Sequence, residues 1–219
     1  MDPRNEPPLC YSTYQSGRLL RTQGAPQSDD TRVPRLIARI DSSKVYTTKP
    51  TKKDVAAISR RIMENGRARG MTPEGLAQAI SWGYSVLGGV CIGKRSPDYW
   101  ALQQVWCIDV DNDAAMVARG FKPLDYADAV LRALRSRLPL LISYETFSSD
   151  PDPNAPPERQ RYRLLFAKAK PVCDRMEAER FGKALLAAYP EADRTTIQLT
   201  RIFYGTDKEV LLWNSTKIV

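Results

Sequence analysis

The sequence predicts an α+β fold whose second half is a ferredoxin-like split β-α-β unit, and three observations support this. Beyond residue 100, apolar runs typical of strands alternate with helical patterns in the order strand, helix, strand, strand, helix, strand. The first half instead combines two helical patterns with a glycine-broken apolar run. With 42% hydrophobic and 26% charged residues in a chain of 219, a core of ordinary size can form.

The amino-terminal part divides into an arm and a first subdomain. Residues 1–35 are rich in Pro, Gln, Ser and Asp without a sustained period, which predicts a mobile or loosely packed arm. Residues 36–103 form the predicted N-terminal helical or α/β subdomain. Its expected elements are an amphipathic helix ending at glycine, a short helix with proline in its first turn, and a bent strand or strand pair, over residues 54–66, 72–83 and 84–93.

Residues 104–219 form the predicted ferredoxin- or RRM-like subdomain. Its strands are expected where β-branched and aromatic residues concentrate, over residues 104–111, 140–144, 161–166 and 200–204. Its helices are expected over residues 123–137 and 174–189. The proline-rich segment 150–157 can neither pair in a sheet nor continue a helix, so it is predicted to be a loop.

The composition excludes several kinds of chemistry. The chain has no histidine, which excludes Ser-His-Asp and Cys-His catalysis and the usual zinc-binding helices. An excess of 33 Lys and Arg over 25 Asp and Glu favours polyanionic partners such as nucleic acid or nucleotides. No apolar run is long enough to span a membrane, and the amino terminus lacks the pattern of a signal peptide. We therefore expect a cytoplasmic protein with no membrane partner.

The most informative local pattern is the run Ile-Asp-Val-Asp-Asn-Asp at residues 108–113. Side chains two residues apart leave the same face of a strand, so Asp109 and Asp111 would project together from an apolar strand. Two carboxylates this close need a cation, and Mg²⁺ binds one or two carboxylates together with substrate phosphates. A strand ending in an Asp- and Asn-rich turn is an equally good interpretation of this pattern alone.

Two further features strengthen the metal-site interpretation. Asp193 lies just before the last predicted strand, which the ferredoxin-like topology places in the same sheet as the first, so it could be a third carboxylate at the same site. Arg161 and Arg163 would point from one face of the neighbouring strand, and guanidinium groups match phosphate oxygens. Taken singly, Asp193 is an ordinary capping residue and the arginines an ordinary solvated face.

Together, these motifs resemble the archaeo-eukaryotic primase superfamily, in the primase-polymerase form that phages and plasmids carry. The resemblance covers residues 90–213 and depends on the order and spacing of its motifs. They are Ile-Asp-Val-Asp-Asn at 108–112, Ser148-Ser149, Arg-Tyr-Arg-Leu-Leu-Phe at 161–166, Asp193, and Gln-Leu-Thr-Arg-Ile-Phe-Tyr-Gly at 198–205. The superfamily usually has a histidine in its middle motif, which contacts the incoming nucleotide. Here the Arg-x-Arg strand occupies that position.

The resemblance implies a DNA primase or polymerase that joins nucleotides by two-metal phosphoryl transfer during DNA replication. Asp109, Asp111 and Asp193 would be the catalytic residues and hold two Mg²⁺ or Mn²⁺ ions. The expected partners are a single-stranded DNA template, NTP or dNTP, and a replicative helicase, fused or separate, in a bacterial, phage or plasmid system. Positioning and charge neutralisation dominate such reactions, so the absence of a histidine base is compatible with them.

Other residues are candidates for substrate contacts. Those expected at the nucleotide are Arg161, Arg163, Ser148, Ser149, Arg201, Lys94 and Arg95. A structural ion pair is an equally good role for Arg201, whereas isolated basic loop residues such as Lys94 and Arg95 are more often simply solvated. Those expected at DNA are Arg60, Arg61 and Arg67, which lie around the first helix near Trp82 and Tyr84, as a nucleic-acid path with stacking groups would require. A solvated helix face is the alternative for this basic cluster.

Two other functions remain open. One is a phosphatase of the haloacid-dehalogenase type, which also uses a D-x-D motif at the end of a strand but follows it with Thr or Val where this chain has Asn112. The other is a non-catalytic ferredoxin-like nucleic-acid-binding module. Such modules expose aromatic residues on the sheet face, whereas this strand offers Asp109 and Asp111.

Overall fold

In a computed structural model, residues 11–16, 18–23, 35–64 and 68–213 are described. The strands are β1 (Tyr11–Gln15), β2 (Arg18–Gln23), β3 (Leu36–Asp41), β4 (Arg69–Met71), β5 (Ser85–Leu87), β6 (Gly89–Cys91), β7 (Trp100–Val110), β8 (Leu140–Glu145), β9 (Tyr162–Val172), β10 (Ile202–Phe203) and β11 (Val210–Trp213). The helices are α1 (Lys52–Glu64), α2 (Pro73–Ser81), α3 (Ala114–Ala118), α4 (Tyr126–Arg135) and α5 (Arg175–Ala188).

Two antiparallel sheets organise this mixed α/β fold. The larger has seven strands in the order β2-β1-β11-β8-β9-β7-β6, and the smaller has four in the order β10-β5-β3-β4. The predicted helices are confirmed, except that the predicted end of the first, at residue 66, lies outside the described residues. Three of them begin at ordinary caps: Thr72 caps α2, Asp125 caps α4 and Asp174 caps α5. None of the described helices is both long and apolar enough to cross a membrane.

Alternation along β7 gives the large sheet two buried faces. Trp106, Ile108 and Val110 belong to the hydrophobic cluster that includes residues of α4 and α5. Val105 and Cys107 belong to the cluster on the other face, which includes residues of β3, β5 and α2. Asp109 and Asp111 continue the second series, so they emerge on the face that is turned toward the small sheet.

The predicted position of the last strand is wrong. Residues 202–203 form β10, which pairs with β5 in the small sheet instead of lying in the sheet of β7. The edge of β7 that faces away from β9 is taken by β6. Here Gly88 permits the close approach, because a Cβ at this position would lie 2.4 Å from the carbonyl oxygen of Val105. The large sheet is extended by β11 on its opposite side, beside β8.

Residues on both sides of the predicted subdomain boundary, and part of the predicted arm, contribute strands to the large sheet; residues 1–10, 17 and 24–34 of that arm lie outside the described residues. Within residues 1–35, β1 pairs with β11 and β2 pairs with β1, and Tyr14 is buried against the second cluster. These strands depend on β11, almost 200 residues away in sequence, and their own sequence has no strong period. The predicted boundary between residues 103 and 104 falls inside β7, and the large sheet takes strands from both sides of it.

Candidate active site

The end of β7 carries the two carboxylates of the D-x-D motif. Asp109 is 5% exposed and lies directly opposite Arg163 of β9 in the strand register. The Arg163 Nη2 donates to Asp109 Oδ2 at 3.1 Å. Asp109 and Arg163 therefore lie side by side on one face of the sheet, and the first carboxylate already has a cationic partner within the protein.

Arg163 is held from two sides. Its Nη1 donates to the carbonyl oxygen of Tyr204 at 2.8 Å, and the Tyr144 hydroxyl donates to the same oxygen at 2.9 Å. Burial is the largest single influence and would lower the pKa of Arg163, but the charge and hydrogen bond of Asp109, together with Tyr144 and Cys107, outweigh it and the pKa is raised. Arg163 does not line the cleft described below. In this arrangement the Arg163 guanidinium is engaged in neutralising Asp109, and its contact with a nucleotide stays a prediction.

Asp111 is in a different environment. Its carboxylate is partly buried and forms no hydrogen bond or ion pair with the described residues. Burial raises the pKa of the Asp111 carboxyl, and the charge of Asp109 raises it further. Positive charges on Arg163, Lys49 and Arg161 act in the opposite direction. This unpaired carboxylate beside a second one is the kind of site that a bound cation would stabilise.

Asn112 fixes the chain where β7 ends. It has a φ of 45°, in the left-handed region that asparagine tolerates better than most residues. Its side-chain amide donates to the carbonyl oxygens of Leu124 and Pro157 at 2.9 and 2.7 Å, and its Oδ1 accepts from the Leu124 N–H. These bonds hold the backbone immediately after Asp111 and so limit where its carboxylate can point.

Asp193 reaches β7 even though the strand after it lies in the other sheet. Its backbone N–H donates to the carbonyl oxygen of Asp109 at 2.9 Å. Its carboxylate caps a short 3₁₀ helix through the Thr195 N–H at 2.9 Å and forms an ion pair with Arg201 Nη2 at 3.3 Å. The backbone of the third predicted residue is thus bonded to the strand that carries the first two, and its carboxylate oxygens are engaged locally.

A cleft of about 400 Å³ opens at this point. It is lined by Asp111, Asp113, Ala115, Met116, Arg119, Glu191, Asp193 and Arg194. Glu191 pairs with Arg132 at 2.9 Å, and Arg119 donates to the carbonyl oxygens of Glu191 and Ala192. The sequence analysis missed Arg119, Glu191 and Arg194, because no motif or periodicity marks them. Only their proximity to Asp111 and Asp193 in the fold does so.

The fit of this site to divalent ions can be tested on its oxygens. Among the described residues, no group of three or more metal-ligating side chains is gathered closely enough to hold an ion. Two observations nevertheless fit a cation. Asp109 Oδ1 is buried with no hydrogen-bond partner, and Asp111 has no ion pair. A carboxylate pair with these free oxygens suits Mg²⁺ or Mn²⁺, and Asp193 would need to release Arg201 to join it.

The other residues predicted to contact the nucleotide are not among those that line the cleft. Arg161 donates to the carbonyl oxygens of Glu158 and Gln160. Ser149 is buried and accepts from the Arg161 N–H, so it joins the loop to β9, whereas Ser148 is exposed. Arg201 donates to Thr195 Oγ1 at 2.6 Å besides its pair with Asp193, which is the structural role left open above.

The predicted DNA contacts separate into three cases. Arg60 is exposed on α1. Arg61 forms a bidentate ion pair with the buried Asp41, with a shortest distance of 2.7 Å. Its charge is therefore already compensated within the protein, which does not favour a contact with DNA. Arg67 lies outside the described residues. Of the basic residues farther along the chain, Lys94 is exposed and Arg95 partly buried.

Comparisons with known proteins give little further information. No family model matches the chain, and no curated protein matches it. Among solved structures, the chain is similar to the AEP domain of the cyanophage S-2L primase-polymerase. The two are 12% identical, the match covers 84% of this chain and 83% of that chain, and the TM-score is 0.36. With these values the similarity does not assign a function, which has to come from the geometry of the cleft.

Proposed function

We propose that this protein is a template-dependent nucleotidyltransferase, a DNA primase or polymerase that uses two divalent metal ions. The observation that carries the proposal is the unpaired carboxylate of Asp111 beside Asp109, whose Oδ1 is buried without a partner. Asp193 is hydrogen-bonded through its backbone to the same strand and lines the same cleft. Unpaired acidic oxygens beside basic groups suit a metal ion together with an anionic substrate.

Asp109, Asp111 and Asp193 would hold Mg²⁺ or Mn²⁺. When bound, such ions neutralise the triphosphate charge and activate the attacking hydroxyl. The described residues would then position the substrate. Lys49 and Arg161 lie within electrostatic range of Asp111 and would contact phosphate oxygens bound near it. Arg201 would turn from Asp193 toward the same phosphates when a metal ion takes its place.

The burial of Asp109 also bears on the phosphatase alternative. A carboxylate that attacks a phosphate needs an exposed oxygen aligned with the phosphorus atom. Asp109 is 5% exposed and bonded to Arg163, so it fits a ligand or structural role better than that of a nucleophile. Asp111 alone would then have to supply the nucleophile.

The direct test is incubation with labelled dATP or ATP, a single-stranded template and Mn²⁺ or Mg²⁺, with and without an annealed primer. We expect template-directed incorporation that stops when EDTA is added. Metal-dependent release of phosphate from monoesters without incorporation would favour the phosphatase. DNA binding with neither reaction would favour the binding module.

A further inference from the structure

The hairpin that joins β6 to β7 has an unusually exposed tip. Gly93 turns the chain with a φ of 85°, and the Ile92 N–H donates to the Tyr99 carbonyl oxygen at 2.8 Å. Ile92 is 68% exposed and Tyr99 43% exposed. Lys94 Nζ lies 5.0 Å from the centre of the Tyr99 ring. The tip therefore presents a partly exposed aromatic ring with a cation over one of its faces, which leaves the other face for stacking.

This tip is fastened to the rest of the protein. Arg95 Nε donates to Ser59 Oγ of α1 at 2.8 Å, and its Nη1 donates to the carbonyl oxygen of Thr200 at 2.7 Å. On the other side, Arg175 at the start of α5 donates to the Pro97 carbonyl oxygen at 3.4 Å. Contacts from both sides hold the hairpin that carries Tyr99, which lowers the entropic cost of binding a ligand there.

The same contacts connect the tip to the cleft. Thr200, which accepts from Arg95, precedes Arg201, and Arg201 pairs with Asp193 at the cleft. In the other direction, Ser59 precedes the exposed Arg60. We call Arg60, Lys94, Arg95 and Tyr99 the hairpin path.

The charges on the hairpin path are uncompensated. Arg95 bonds only to neutral oxygens. Among the described residues, no carboxylate forms an ion pair with Arg60, Lys94 or Arg95. Unpaired cations attract the phosphates of a nucleic acid, and an exposed aromatic ring stacks on a base. Stacking needs a base whose face is free, which a single strand offers and a duplex does not.

We propose that the hairpin path binds single-stranded nucleic acid and leads it to the cleft, with Tyr99 stacking on a base and Arg60 and Lys94 contacting phosphates. Identification of this strand as the template rests on the proposed nucleotidyltransferase function. Binding to the path itself does not, because none of its residues belongs to the carboxylate site.

The test measures the affinity of the full chain for a fluorescent oligo(dT) by anisotropy, in EDTA and over a series of salt concentrations. Tyr99→Ala should weaken binding about fivefold or more with little change in salt dependence, whereas Tyr99→Phe keeps the ring and should bind like the wild type. Arg60→Ala and Lys94→Ala should each lower the slope of log K against log salt by about 0.7, as loss of one phosphate contact does.

Lys183→Ala is the matched control, because Lys183 is exposed on α5 two turns beyond Arg175. It should leave both affinity and slope nearly unchanged. Equal losses in Lys183→Ala and in the path variants, or equally tight binding of a blunt duplex, would overturn the proposal. Failure of the wild type to incorporate nucleotides, with the path variants still impaired in oligo(dT) binding, would remove the nucleotidyltransferase function and leave the path in place.

Discussion

The two carboxylates of the D-x-D motif stand two residues apart on one strand and face the same way, yet their surroundings differ. Asp109 is buried against Arg163, which is directly opposite in the register of β9. Asp111 has no ion pair among the described residues and lines the open cleft. Periodicity therefore gives the direction in which a side chain points, whereas the residues that approach from other strands decide what it can do.

The sharpest way to test this difference is to neutralise the carboxylates of the cleft one at a time. Asp111→Asn should lower template-directed incorporation by about 10³-fold or more, because metal ions contribute several kcal/mol of charge stabilisation in such reactions. Primer extension with Mn²⁺ measures the effect, and thermal unfolding checks that the variant is folded.

Asp113→Asn is the matched control. Asp113 lines the same cleft and caps α3 through the Met116 N–H at 2.8 Å, an interaction that the amide oxygen of asparagine preserves. Its activity should stay within a few-fold of the wild type. A loss as large as that of Asp111→Asn would mean that overall negative charge in the cleft matters, and not the particular position of Asp111.

The buried side of the comparison predicts a large effect on stability. Arg163→Met leaves the Asp109 carboxylate buried without a partner, and breaking such a pair costs about 3–5 kcal/mol in the free energy of unfolding. Urea unfolding measures this loss. The double variant Arg163→Met, Asp109→Asn should regain part of it. If the double variant is no more stable than Arg163→Met, the pair contributes through packing and not through charge.

The raised pKa of Asp111 predicts a smaller, pH-dependent effect in metal-free buffer. A carboxyl whose pKa is higher in the folded than in the unfolded state destabilises the fold once it is ionised. Asp111→Asn should therefore melt at a higher temperature than the wild type at pH 7. The difference should shrink as pH falls through the raised pKa and vanish below the ordinary value of 3.8, where the wild-type carboxyl is protonated in both states.

Magnesium should reduce the difference in melting temperature between Asp111→Asn and the wild type. Addition of Mg²⁺ at pH 7 should raise the melting temperature of the wild type more than that of Asp111→Asn, since a ligand bound only to the folded state stabilises it. Equal shifts in the two proteins would indicate that the ion binds elsewhere.

The smallest effect is expected at the exposed ion pair. The side chains of Arg201 and Asp193 are 37% and 32% exposed, so Arg201→Gln should cost no more than about 1 kcal/mol of stability. The apparent KM for the nucleotide should rise instead, because Arg201 is proposed to contact phosphate. An unchanged KM would leave Arg201 with its structural role alone.

The parts of the fold that were predictable are those that local sequence determines. The end of α2 and the break at Gly88 follow from caps and glycines, and the shared face of Asp109 and Asp111 follows from strand alternation. The position of β10 in the second sheet was not predictable, because hydrogen-bond partners along a strand edge are chosen by segments distant in sequence. The pairing of Arg61 with Asp41, 20 residues earlier, escaped prediction for the same reason.

The same limit applies to the candidate site. The backbone segments that carry the three predicted carboxylates are joined, since the Asp193 N–H donates to the Asp109 carbonyl oxygen. Their side chains differ in availability because Arg163 and Arg201 compensate two of them. Sequence patterns identified all five residues but not which of them pair, since pairing depends on distances between strands and loops.

The most direct test of the central claim is a crystal structure with Mn²⁺ and a non-hydrolysable nucleoside triphosphate, in which anomalous scattering locates the ions. We expect manganese bound by Asp109 and Asp111, with Asp193 released from Arg201 to complete the site. Manganese found only away from these carboxylates, or Asp193 still paired with Arg201 while the nucleotide is bound elsewhere, would contradict the account.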